Sequence, residues 1–142
     1  MSTQSVGPRT LLVTLTGRDR PGVTSRLFAA MAGHGVEVLD IEQVLIRGRL
    51  VLSVLIAPGT DEASVRAGVA RACTELDMDV EVSAGRGDNA PRRDGRAHVA
   101  LLGNPLRPEA VAGIAGRIAA SGANIDRIVR LARYPVTSIE LD

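Results

Sequence analysis

Residues 9–35 read R-T-L-L-V-T-L-T-G-R-D-R-P-G-V-T-S-R-L-F-A-A-M-A-G-H-G, and the eight from Thr16 to Val23, T-G-R-D-R-P-G-V, decide how the chain is built. Upstream, Arg9 to Thr16 carries the apolar run Leu11-Leu12-Val13 and then alternates, the pattern of a strand. Downstream, Pro21 to Gly33 sets Val23, Leu27, Ala30 and Met31 at helical spacing behind a proline, and His34-Gly35 ends the run. The stretch between is a strand-to-helix turn with glycine on both sides and a carboxylate in the middle.

Working outward, Val36 to Ile46 alternates, with Val36, Val38, Ile41, Val44 and Ile46 expected mostly on one face and a bulge near Asp40. Arg47-Gly48-Arg49 is a hairpin turn into a second β-run, Leu50 to Ile56, which Pro58-Gly59-Thr60 breaks. Thr60 or Asp61 caps a helix to about Leu76 with Val65, Val69, Ala72 and Cys73 inward, and Val80 to Val82 is a short last strand. The order is β-α-β-β-α-β. Residues 85–96 (G-R-G-D-N-A-P-R-R-D-G-R) lack any large apolar side chain and read as a solvated linker.

The pattern then restarts. His98 to Leu102 reads as a strand, Gly103-Asn104-Pro105 as a turn, and Pro108 to Ser121 as a helix with Val111, Ile114, Ala115 and Ile118 on one face. Gly122 ends that helix, and strands follow at Asn124–Leu131 and Val136–Leu141 about a turn at Arg133-Tyr134-Pro135. Gly17 falls against Gly103, Gly35 against Gly122 and Ile41 against Ile128, an offset of about 87 residues that signals duplication. The expected fold is α+β, a ferredoxin-like unit at 9–84, the linker at 85–96, and a second unit at 97–142 cut short after its third strand. Such a unit forms an antiparallel sheet of order 4-1-3-2 with both helices on one face. Without a fourth strand, the first strand of the second copy is an open edge, the kind usually covered by a partner chain or by the neighbouring copy.

Composition bounds the function. The chain has 142 residues, 45% hydrophobic and 23% charged, with a formal net charge of +1. This is a globular balance, and no nucleic-acid partner is expected from so small a charge with 1% aromatic content. All 17 basic residues are Arg. The single cysteine, Cys73, cannot form an internal disulfide and reads as a buried reduced thiol. No apolar leader opens the chain and no run is long enough to span a bilayer, so a cytoplasmic protein away from membranes is expected.

Of the possible sites, the turn is the most site-like. With Pro21 setting the first helical φ, the N–H groups of Gly22, Val23 and Thr24 are free to meet a carboxylate, helped by the helix dipole. Asp19 can cap the helix or accept from an α-ammonium, and Gly17 and Gly22 let a ligand approach the backbone. A plain capped turn accounts for the same residues. In the second copy, Gly103 and Asn104 occupy the corresponding turn, and Asn124 stands where Glu37 stands in the first, able to donate to a carboxylate and accept from an ammonium. Asp77-Met78-Asp79 is a weak echo of the D-x-D-x-[T/V] phosphatase loop, with Glu81 at the fifth position and no apolar strand before it. His34 and His98 have no Cys or carboxylate at metal-ligand spacing, which points to helix-end and strand-surface roles. No catalytic residue and no metal site is expected in this chain.

These residues resemble a known family. T-G-R-D-R-P-G-V, a helix and then H-G-V-E-V-L-D-I-E-Q is similar to the start of an ACT domain. The stretch V-L-D-I-E-Q-V-L-I-R-G-R-L-V-L-S-V-L-I resembles the first of two tandem ACT domains at the N-terminus of actinobacterial phosphoserine phosphatases, and H-V-A-L-L-G-N-P-L, G-A-N-I-D-R-I and Y-P-V-T-S-I-E-L resemble the second. The resemblance implies a regulatory, dimer-forming region that binds L-serine or a similar amino acid at ACT–ACT interfaces. It carries ligand contacts over to Asp19, Arg20, Pro21 and Gly22, to Gly103 and to Asn124, and the neighbouring Gly17, Arg18, Val23, Asn104 and Asp126 complete the set of candidate ligand-binding residues. The Mg²⁺-dependent phosphatase domain of the family, with its paired aspartates, has no counterpart in these residues. A free-standing tandem-ACT regulator, similar to glycine-cleavage repressor proteins, is the other reading, and a small enzyme acting through Asp77 and Asp79 is a third.

Overall fold

The β-run that opens the duplicated pattern forms the centre of a four-stranded antiparallel sheet in the computed structural model, which describes residues 7–87, 96–132 and 137–142. The chain divides into two units, Met1–Ala90 and Pro91–Asp142. The first contains β1 (Arg9–Arg18), α1 (Val23–Met31), β2 (Glu37–Ile46), β3 (Arg49–Ala57), α2 (Glu62–Glu75) and β4 (Asp79–Arg86), with strand order β2-β3-β1-β4. The second contains β5 (Val99–Gly103), α3 (Pro108–Ala120), β6 (Ile128–Ala132) and β7 (Thr137–Leu141), in the order β5-β7-β6. These are the α+β, ferredoxin-like sheets expected, the second with three strands. Among the described residues nothing pairs with the outer edge of β5.

Strand alternation builds the first core. Leu11, Val13 and Leu15 of β1 and Leu50, Leu52, Val54 and Ile56 of β3 are buried on one face, in register as Leu11↔Ile56, Val13↔Val54 and Leu15↔Leu52. Helix α1 lays Val23, Leu27 and Met31 on this face, and α2 adds Val65, Val69, Ala72 and Cys73. Each buried Val, Leu, Ile or Met side chain contributes about 1.5–3 kcal/mol by leaving water. The helices approach closely where α2 has Gly68: a Cβ there would stand 3.0 Å from the Ala30 carbonyl oxygen. Asp61 caps α2 by accepting from Ser64 N at 3.1 Å. The β2–β3 turn is the two-residue pair Arg47 and Gly48, both with positive φ (48° and 76°), as a tight hairpin with right-twisted strands requires.

Several boundaries differ from the sequence expectation. Strand β4 runs through Arg86, pairing Gly85 with Thr10 and Arg86 with Arg9, so the first residues assigned to the linker belong to the sheet. The rest of that linker, 88–95, and the turn at 133–135 lie outside the described residues. The bulge near Asp40 is present, between Val38 and Asp40, but the apolar residues of β2 do not share a face. Val38 and Ile41 pair with Ile56 and Val54 on the helix side, whereas Val44 pairs with Val51 on the other. The bulge absorbs the odd step before Ile41; the odd step after it turns Val44 over.

The second unit is more open. Pro108 stands at the start of α3, and Val111, Ile114, Ala115 and Ile118 face inward, yet all stay half-buried. Leu141 is the buried hydrophobic residue of this unit among the described residues. One helix over three strands covers too little of the sheet to exclude water elsewhere. Strand β6 begins at Ile128, not Asn124. Ahead of it the backbone pairs irregularly with the end of β7: Asp126 N and Asp142 N donate to Asp142 O and Arg127 O at 2.7 and 2.8 Å. No helix among the described residues is long and apolar enough to cross a membrane.

Candidate functional site

The strand-to-helix turn is an exposed loop held at both ends. Gly17 and Arg18 are still paired in β1, opposite Leu50 and Arg49, and Asp19 N donates to Gly48 O at 2.8 Å. Arg18, Asp19, Arg20, Pro21 and Gly22 are exposed, flanked by buried Gly17 and Val23. Gly17 is packed against Met78; a Cβ there would press on its sulfur and stand 3.2 Å from its Cε. Arg20 is drawn away from the turn, its guanidinium donating to Glu75 O at 3.2 Å.

The helix start differs from the one expected. Gly22, at φ 93°, is the N-cap of α1, and Arg26 N makes the first helical bond to its carbonyl at 2.9 Å. Pro21 therefore precedes the cap and does not open the helix, because only glycine takes the left-handed φ of this cap without strain. The free first-turn N–H groups shift to Val23, Thr24 and Ser25. No side chain caps α1, so Asp19 does not do so and its carboxylate remains exposed beside the turn. Thr24 Oγ1 instead donates to Gln43 Oε1 at 2.8 Å, tying the helix start to β2. An exposed carboxylate near a helix N-terminus suits a zwitterion, one group for each of its charges.

In the second unit the candidate residues fall at two ends of the sheet. Gly103 closes β5 opposite Thr137, and a Cβ on it would lie 2.9 Å from Leu106 Cα. Asn104 follows in the exposed turn. Asn124 and Asp126 lie at the opposite end, beyond the Ile128↔Leu141 pair, where Asn124 Nδ2 donates to Asp126 Oδ1 at 3.4 Å. Both line a depression of about 440 Å³ with Ser121, Arg96 and Asp142. Asn124 and Asp126 are thus brought together, apart from Gly103 and Asn104.

Asp77 has a local role: at φ 54° it is the left-handed residue after α2, its N–H reaching Thr74 O at 3.2 Å. Asp79 starts β4 opposite Thr16. Cys73 is buried in α2, and burial pushes its thiol pKa up, away from the reactive thiolate.

Residues 9–83 match the sequence model of the ACT domain family, and residues 96–142 match a second ACT domain model. The chain belongs to the ACT domain family. It is 51% identical over 133 residues to a phosphoserine phosphatase of Streptomyces coelicolor, covering 92% of this chain and 32% of that protein. It is 43% identical over 136 residues to a phosphoserine phosphatase of Mycobacterium tuberculosis, covering 92% and 33%. The chain spans about a third of the length of these curated relatives. Among solved structures, one assigned as a glycine cleavage system transcriptional repressor aligns with a TM-score of 0.65 at 14% identity, over 94% of this chain and 78% of that one. At that identity the likeness is one of fold.

The second ACT domain also holds a cluster that linear spacing did not reveal. His98, just before β5, faces Glu140 and Asp142 of the β7 end, and one ligand atom from each lies within 4.8 Å of the others. Its carboxylates are more than forty positions away in sequence and come from the partner strand. Aligning β5 with β7 antiparallel, Val99 against Leu141, is the signal that would have found them.

Proposed function

We propose that this chain is the amino-acid-sensing, dimer-forming region of a phosphoserine phosphatase, with L-serine as its effector. The observation that carries the reading is 51% identity over 92% of the chain to a phosphoserine phosphatase, with both halves matching ACT domain models. The turn at Gly17–Val23 adds physical support. It offers the exposed Asp19 carboxylate to an ammonium group and the first-turn amides of α1 to a carboxylate. The 142 residues hold no D-x-D-x-[T/V] loop, so catalysis and its Mg²⁺ belong to another part of such a protein.

Titration calorimetry with L-serine is the test. Heat should be measured with the intact chain and the affinity should fall in Gly22→Asp and Asn124→Ala; a flat titration with L-serine would sink the reading. A second reading, a free-standing tandem-ACT regulator working through protein contacts, has the repressor-like fold in its favour. The reading frame decides between the two: continuation past codon 142 into a D-x-D-x-[T/V] phosphatase removes the second.

A further inference from the structure

We propose that His98, Glu140 and Asp142 form a site for a divalent first-row transition ion of the zinc, cobalt or nickel kind on the sheet of the second ACT domain. The register builds it. Val99 pairs with Leu141 and Ala100 with Glu140, so His98 falls opposite Asp142. Strand alternation then puts His98, Glu140 and Asp142 on the face opposite the buried Leu141.

The donor geometry suits an ion. His98 Nδ1 is 3.4 Å from Glu140 Oε1 and is paired directly with Asp142 Oδ1. Metal–ligand bonds of about 2.0–2.2 Å in tetrahedral geometry separate neighbouring donors by roughly 3.3–3.6 Å. The His98–Glu140 spacing already meets this, and the His98–Asp142 pair opens as the ion takes the place of the hydrogen between them. The donor set, one imidazole nitrogen with two carboxylates, selects first-row transition ions over Mg²⁺ or Ca²⁺, which favour all-oxygen shells. Two carboxylates and a neutral imidazole carry a charge that a divalent ion cancels.

The site is also held and reachable. The Asp142 backbone is fixed by its bonds with Asp126 and Arg127, and its side chain is 9% exposed. The His98 side chain is 64% exposed, so the imidazole stands at the solvent mouth and the ion enters from there. Three protein ligands leave a fourth position for water.

The test uses the full 142-residue chain, stripped with chelator and titrated with zinc chloride by calorimetry and with cobalt(II) by visible absorption. One ion per chain is expected. Loss of a direct ligand in His98→Gln or Glu140→Gln should weaken binding at least about tenfold, since even outer-sphere partners of metal ligands cost roughly 10- to 100-fold. The cobalt d–d absorption should disappear in His98→Gln while circular dichroism stays unchanged, and excess Mg²⁺ should not compete. Absence of stoichiometric zinc uptake by the parent chain overturns the site. So does binding that survives both substitutions, or that is lost instead in His34→Gln.

Discussion

Gly59 and His34 meet through backbone alone: a Cβ on Gly59 would stand 2.7 Å from the His34 carbonyl oxygen and 2.9 Å from that of Gly35. Gly59 also holds a φ of 71°. The break after β3 is thereby packed onto the loop that leads from α1 into β2, and neither carbonyl can yield without moving that loop. Gly59→Ala should cost about 2–4 kcal/mol, combining left-handed strain with overpacking. Gly48 has a similar φ of 76° but open space around it, so Gly48→Ala should cost only about 1 kcal/mol. Urea denaturation of the two variants beside the parent chain measures both; equal losses would remove the contact from the account.

Glu62 makes the first unit sensitive to acid. Arg9 donates to it through two nitrogens at 2.8 and 3.0 Å, and Arg66 through one at 3.2 Å. The Arg9 hydrogen bonds chiefly, with Arg66 adding to them, hold its carboxyl at about 2 against an ordinary 4.5. The folded-state value is depressed, so the stabilisation is complete above pH 4.5 and fades as pH falls from 4.5 towards 2. The melting-temperature gap between the parent chain and Glu62→Gln should therefore be largest at neutral pH and close by pH 2. Both arginines are partly in solvent, so added salt should narrow the gap at pH 7 as well.

Cys73 should report global opening of the first unit. It is 1% exposed within α2, and its thiol is pushed up by burial. Labelling by a disulfide reagent in native buffer should be slower than in denaturant by about 10³ or more, following the population of the open form. Rapid native labelling would place the thiol outside the core.

The first unit was legible because punctuation and period agree. Pro58-Gly59 ends β3, Asp61 caps α2, and the apolar spacing of Val65, Val69, Ala72 and Cys73 gives its buried face. What was hidden depends on partners remote in sequence. Gly85 and Arg86 are strand residues only because β1 offers Thr10 and Arg9 as partners. Ile41 and Val44 look alike in an alternating run, yet the bulge position sends them to opposite faces. Asn124 and Ile125 have the appearance of strand, but regular pairing with β7 starts only at Ile128. At the candidate site, the strand-to-helix turn at Arg18–Gly22 followed from its glycines, proline and position between two apolar runs. The left-handed cap at Gly22 and the His98 cluster did not, since one is a choice of φ and the other a matter of register.

The single buried leucine of the second unit sets up an unequal partnership within one polypeptide. A sheet anchored by Leu141, with half-buried helix residues and a β5 edge that pairs with nothing among the described residues, has little free energy of its own to lose on opening. Its backbone amides should exchange with solvent well before those of β1 and β3. Anything that binds only the closed form would then raise its protection by mass action, whether a ligand at Asn124, an ion at His98 or a strand laid along β5. The first unit, with its buried two-helix core, should stay protected while the second opens and recloses, so that a small binding free energy is enough to change how often the second is found folded.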